Sequence, residues 1–151
     1  MEKLEITKDN ALKAYSDGSD SDRELLDRLF PGKLKKLSII DRISAETPVQ
    51  DACKILGLDF DCIHDDCEDK YEEAEKDIKV VAEALREGKD PKDCFYYPYF
   101  YRSGGGVSFG DYDADGGYSV VGARLRVDTP EKARHLGKVL EPQYKTYLTG
   151  Q

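Results

Sequence analysis

The sequence predicts an α+β fold in which a helical N-terminal half packs on a three-stranded antiparallel β-meander followed by a C-terminal helix. Three observations carry this. Apolar residues recur at helical spacing up to about residue 90. After Asp90-Pro91 the period drops from about 3.6 to 2, and helical spacing returns after Asp128-Thr129-Pro130-Glu131. A chain of 151 residues suffices for one core, and at that size roughly two-thirds of the unfolded surface is buried. A single domain over 1–151 is expected, helical over about 1–90 and sheet plus helix over about 95–149.

Thr7 reads as the cap of a first helix carrying Ala11, Leu12 and Tyr15, which Gly18 closes. Ser19-Asp20-Ser21-Asp22 caps and charges a second helix with Leu25, Leu26, Leu29 and Phe30, ended by Pro31-Gly32. Residues 34–43 are a short apolar run that suits a helical turn or a strand, and a helical turn is the weak preference. Thr47-Pro48 starts a helix with Val49, Ala52, Cys53 and Leu56 on one side and Gly57 after its end. The acidic residues of 59–69 form a solvated loop before the longest helix, about 67–87, whose apolar side is Tyr71, Ala74, Ile78, Val81, Ala82 and Leu85.

The first strand, 95–102, is expected to turn Phe95, Tyr97, Tyr99 and Tyr101 to the core, with Pro98 placing it at a sheet edge. A short strand near 107–112 and a third near 118–127 follow, the third with Val121, Leu125 and Val127 inward. Ala133, Leu136, Gly137, Leu140 and Tyr144 line the last helix, which Pro142 should kink near Lys138.

Composition bounds the function. The chain is 39% hydrophobic and 36% charged, with ten Tyr, five Phe and no Trp, too aromatic for disorder. Its formal charge of −8 repels a phosphate backbone, which argues against nucleic acid and somewhat favours a basic protein partner. The first residues have no apolar signal core and no window approaches the ~20 apolar residues of a membrane span, so a cytoplasmic protein with reduced Cys53, Cys62, Cys67 and Cys94 is expected.

Asp111-x-Asp113-x-Asp115-Gly116 has the carboxylate spacing of half a calcium loop, but the position that should supply a bidentate Glu is Gly122. A hairpin turn accounts for the motif, and no metal or other cofactor is expected. Cys62, His64 and Cys67, with Cys53 upstream, offer zinc-ligand types at the wrong spacing. A Cys–His pair from Cys53 or Cys94 with His64 or His135 has no local signature behind it. The expected partner-binding residues are Tyr96, Phe100, Arg102, Arg124 and Arg126, because aromatics and arginines anchor interfaces most often.

Leu4-Glu5-Ile6-Thr7, Asp41-Arg42-Ile43, Asp51-Ala52-Cys53 with Leu56-Gly57, Tyr96-Tyr97-Pro98-Tyr99-Phe100, and Gly122-Ala123-Arg124-Leu125 with Leu136-Gly137-Lys138 run in one order along most of the chain. In these the chain resembles small uncharacterised proteins encoded by phages, prophages and mobile elements of anaerobic gut bacteria. The resemblance implies an origin and brings no catalytic residue. The resulting expectation is a non-catalytic phage or prophage accessory protein that acts by binding an unknown protein partner in the host cytoplasm, with a homo-oligomer allowed. The alternatives are a metal-dependent enzyme or ligand-binding protein using Asp111, Asp113 and Asp115, and a virion component.

Overall fold

The computed structural model describes residues 6–34, 37–104, 106–114 and 122–150. The chain divides into two compact units, one up to Asp41 and one from Arg42 onward.

The first unit is a helical hairpin of α1 (Lys8–Asp17) and α2 (Asp20–Leu29). The Thr7 hydroxyl accepts from the Asn10 N–H at 3.3 Å. Ser19 and Asp22 form a reciprocal capping box, with the Ser19 N–H donating to Asp22 Oδ2 at 2.8 Å. The turn between the helices is tight at Gly18, where a Cβ would stand 2.6 Å from the Ala14 carbonyl oxygen of α1 and 2.9 Å from Asp22 Cβ of α2. Arg23 closes the C-terminal end of α1 by donating Nε to the Tyr15 carbonyl at 3.0 Å and Nη2 to that of Ser16 at 3.3 Å. The ambiguous run 34–43 contains one helical turn, α3 (Ile39–Arg42), capped by the Ser38 hydroxyl, which accepts from the Asp41 N–H at 3.2 Å.

The second unit contains α4 (Pro48–Leu56), α5 (Lys70–Arg86), strands β1 (Tyr96–Ser103) and β2 (Gly106–Ala114), α6 (Pro130–Val139) and α7 (Glu141–Thr149). Gly57 leaves α4 at a φ of 70°, the left-handed conformation its sequence position suggested. Thr47 makes no side-chain cap to α4; Asp51 instead accepts from the N–H of Ser44 at 2.9 Å and from its hydroxyl at 2.7 Å. Asp69 caps α5, whose Ile78, Val81, Ala82 and Leu85 are fully buried where it packs on α4 and α7.

The three-stranded meander does not form among the described residues; the sheet has two strands, β1 and β2. Of the expected third strand, 118–121 lie outside the described residues, whereas Ala123–Leu125 is a 3₁₀ turn and Val127 makes a single bridge to Tyr96. That bridge sets Val127 beside β1, while a meander would have continued from β2. Arg86 supplies the physical reason. Its Nη1 donates to the carbonyls of Arg124 at 2.9 Å and Arg126 at 3.1 Å, acceptors that a neighbouring strand would otherwise use. Leu125 and Val127 are nevertheless buried, as their alternation indicated.

The helices covering the sheet are α6 and α7, which follow it in sequence. The C-terminal helix is also two helices. Pro142 has no N–H for the Lys138 carbonyl, and the chain breaks at Leu140 (φ −114°, ψ 24°) before Pro142 enters the first turn of α7.

The covered face of β1 is opposite to expectation. Pro98 is buried and Phe100 half-buried, while Phe95, Tyr99 and Tyr101 are 50%, 43% and 56% exposed. Tyrosine hydroxyls need a partner when buried, and the covered side of β1 centres on Pro98 and Phe100, which carry no side-chain polar atom. In β2 the inward residues change from odd to even numbers, Val107 and Phe109 and then Tyr112, because Gly110 is an extra residue between the pairs Phe100↔Phe109 and Tyr99↔Asp111.

Gly137 sets how closely α6 approaches the sheet. A Cβ there would lie 2.4 Å from the Phe109 ring and 2.8 Å from Pro98 Cβ. Gly137→Ala is therefore expected to destabilise by about 1–3 kcal/mol despite Ala's better helix propensity. Urea unfolding checks this; an unchanged or raised stability would show that α6 does not need this approach.

Candidate interaction face

The five residues expected to bind a partner are not brought together on one open face. Tyr96 packs edge-on against Tyr112, with ring centroids 5.8 Å apart, and its backbone bridges to Val127. Phe100 lies between Tyr144 at 4.6 Å and Phe109 at 5.7 Å, on the side covered by α7. Arg102 donates to the Leu148 carbonyl near the end of α7. Arg124 is exposed and Arg126 half-buried in the segment whose carbonyls Arg86 holds.

The open face of the hairpin carries the other residues of β1. Tyr97, Tyr99 and Tyr101 alternate along it and stand opposite Asp113, Asp111 and Ser108 in the antiparallel ladder. Tyr99 and Tyr101 meet edge to face, centroids 5.1 Å apart at 89°. The Tyr101 ring lies over Gly110, since a Cβ on Gly110 would be 2.5 Å from it. The bulge glycine thus leaves room for the tyrosine to lie flat, the way an aromatic side chain shields a strand glycine.

Two carboxylates flank these rings. Asp111 accepts from Arg134 Nε at 2.7 Å, and that hydrogen bond holds its carboxyl below the usual carboxylate range. The Arg134 guanidinium also stacks 4.5 Å from the Tyr112 ring centroid. Asp113 accepts from the Ala114 N–H at 2.8 Å and makes no ion pair among the described residues. Asp115 lies outside the described residues.

The remaining candidates are dispersed. Among the described residues no three His, Cys, Asp or Glu side chains converge as a metal site. His64 Nε2 pairs with Asp77 Oδ1 at 2.7 Å, and Cys62 donates to Asp59 at 3.6 Å, so the zinc-ligand types turn to separate carboxylates. Burial pushes the Asp77 carboxyl up, and the His64 contact opposes that shift. Buried Cys53 and Cys94 have thiol pKa values raised mainly by desolvation, and exposed Cys62 has one raised mainly by Asp59. All four cysteines therefore favour the thiol over the nucleophilic thiolate, and all are free. His135 Nε2 bonds to the Ile43 carbonyl at 2.8 Å.

Reading the sequence missed Tyr99 and Tyr101 as surface residues. The available signals were Gly110 within a strand and the hydroxyls on the odd-numbered side of β1. Among the described residues no helix is long and apolar enough to cross a membrane. No family model, no curated protein and no solved structure matches the chain.

Proposed function

We propose that the protein acts by binding a protein partner, an accessory role of the kind its resemblance to phage and mobile-element proteins implies, and that the open hairpin face is the binding surface. The observation that carries this is the exposed Tyr99–Tyr101 pair seated over Gly110 beside Asp113, which makes no ion pair among the described residues, and Asp111, whose charge Arg134 already partners. Tyrosines give large, rigid contact area with a polar tip and lose little conformational freedom on binding. Aromatic faces next to carboxylates attract guanidinium and ammonium groups through the ring quadrupole and by charge. The partner chemistry is accordingly a basic segment presenting arginine or lysine, in keeping with a chain of net charge −8.

With ten Tyr and no Trp in the chain, a change in tyrosine emission on binding is assigned to this face by its loss when Tyr99 and Tyr101 are replaced. Titration with an arginine-rich peptide is expected to show salt-sensitive binding. Tyr99→Ala with Tyr101→Ala should keep a cooperative circular dichroism melt, lowered by the loss of the ring over Gly110, and weaken binding by more than about 2 kcal/mol, some thirtyfold. Equal affinity of variant and wild type, or equal binding of an acidic peptide, would reject the reading.

A further inference from the structure

Arg86 is 5% exposed, yet no carboxylate of the described residues pairs with it. Its Nη1 is spent on the carbonyls of Arg124 and Arg126, whereas Nε and Nη2 make no hydrogen bond among the described residues. Neither nitrogen is among the unpaired side-chain atoms sealed from solvent there, which are Arg126 Nε and Tyr144 Oη. The unused edge of the guanidinium is therefore reachable. It is also the edge whose two N–H groups run parallel and match the two oxygens of one carboxylate. A charge buried this far costs free energy until an opposite charge joins it, and two carbonyl dipoles offset only part of that cost.

Arg86 lines a cavity of about 570 Å³ between α4, α5 and the segment Gly88–Pro91, a volume that suits a small molecule. Leu56 and Pro91, both half-buried, give it an apolar wall. Most of the charges around it are already matched. Lys79 pairs with Glu75 at 2.9 Å and Asp90 with Lys92 at 3.2 Å, while Lys89 joins Asp128 in a network that Lys132 and Glu87 complete. The negative end of α5 is spent as well, because the Ala84 and Arg86 carbonyls accept from the N–H groups of Glu87 at 3.2 Å and Lys89 at 3.1 Å. Arg86, Arg124 and Glu83 are left with no ion pair among the described residues, so the cavity keeps one net positive charge in a chain of net charge −8. We propose that this cavity binds a small organic monocarboxylate, held side-on by Nε and Nη2 of Arg86 with Arg124 at the rim, its apolar body resting on Leu56 and Pro91. A phosphate dianion would exceed the single positive charge and meet Glu83. The site shares no residue with the hairpin face of β1 and β2, so it stands or falls separately from that reading.

Titration of the full chain with benzoate at fixed ionic strength, followed at the assigned nitrogen–proton resonance of Arg86 Nε, is the test. Benzoate is expected to saturate one site and to shift that resonance, which reports the new hydrogen bond directly. Benzamide, with the same body and no charge, should not bind, and inorganic phosphate should bind about tenfold more weakly or worse. Arg124→Gln should weaken benzoate about two- to fivefold and Glu83→Gln strengthen it as much, both with the melting temperature kept, since each side chain is an exposed charge. Arg86→Lys keeps the charge without the parallel donors and should weaken benzoate more than about tenfold. Absence of saturable benzoate binding, an Arg86 Nε resonance unmoved at saturation, or equal binding of benzamide or phosphate would each overturn the proposal. Affinities unchanged by Arg124→Gln and Glu83→Gln would overturn it too, and none of these four readouts uses a variant of Arg86.

Discussion

Leu125→Ala is expected to lower the unfolding free energy by about 2–5 kcal/mol, among the largest losses available to a point change in this molecule. Leu125 is only 4% exposed, and Val127 two residues on is fully buried. The 3₁₀ turn that carries Leu125 packs on α5, the most deeply buried helix of the second unit. Removing three carbons from a packed site forfeits their transfer free energy and leaves a cavity that neighbours in a helix cannot collapse to fill. Equilibrium urea unfolding measures this, with the denaturant slope unchanged if the native state alone is affected. A loss under about 0.5 kcal/mol, the range of surface substitutions, would place Leu125 in solvent and remove the anchor of the 122–127 segment.

How much of this was legible in the sequence follows from which forces are local. Caps are local: Thr7, Ser19 with Asp22, and Thr129 each accept a backbone N–H in the first turn they precede, and Gly57 ends α4 as its type requires, whereas Thr47, read the same way, makes no such cap. Pro142 announces a helix break for the same reason. The orientation of β1 is not local. Both its sides are aromatic, and the choice between them is made by α6 and α7, where Gly137 admits Phe109 and Pro98, and by hydroxyls that fare better in water. The third strand failed on a tertiary contact too: a period of 2 over 123–127 fits a strand, yet the carbonyls that would define it as one are taken by an arginine some forty residues away in sequence. The candidate face was half visible. Asp111 and Asp113 stood out as a motif, but their companions were identified only once the strand register set them opposite Tyr99 and Tyr97.

Replacing Arg86 should be as damaging as emptying the core. The side chain belongs to the last turn of α5, is 5% exposed, and donates one nitrogen to two carbonyl oxygens at the end of the 3₁₀ turn, those of Arg124 and Arg126. Burial lowers its pKa, and an arginine still keeps its charge under such a shift. A guanidinium suits this position because its planar fork stays pre-organised while its stem packs in the interior. Arg86→Met keeps the stem and deletes the donors, leaving two part-buried acceptors unpaired at about 1–3 kcal/mol each, so a total loss of about 2–6 kcal/mol is expected. Arg86→Lys should recover only part, since an ammonium on a shorter stem reproduces neither the reach nor the fork. Hydrogen exchange localises the effect: the Val127 amide, which donates to Tyr96 at 2.8 Å, should lose protection in Arg86→Met before the amides in the middle of α5 do. If Arg86→Met unfolds at the wild-type urea concentration, or if Val127 keeps its protection, then the segment from Gly122 to Val127 is held by Leu125 and Val127 alone, and the exposed Arg124 side chain owes its place to packing and not to the carbonyl contacts of Arg86.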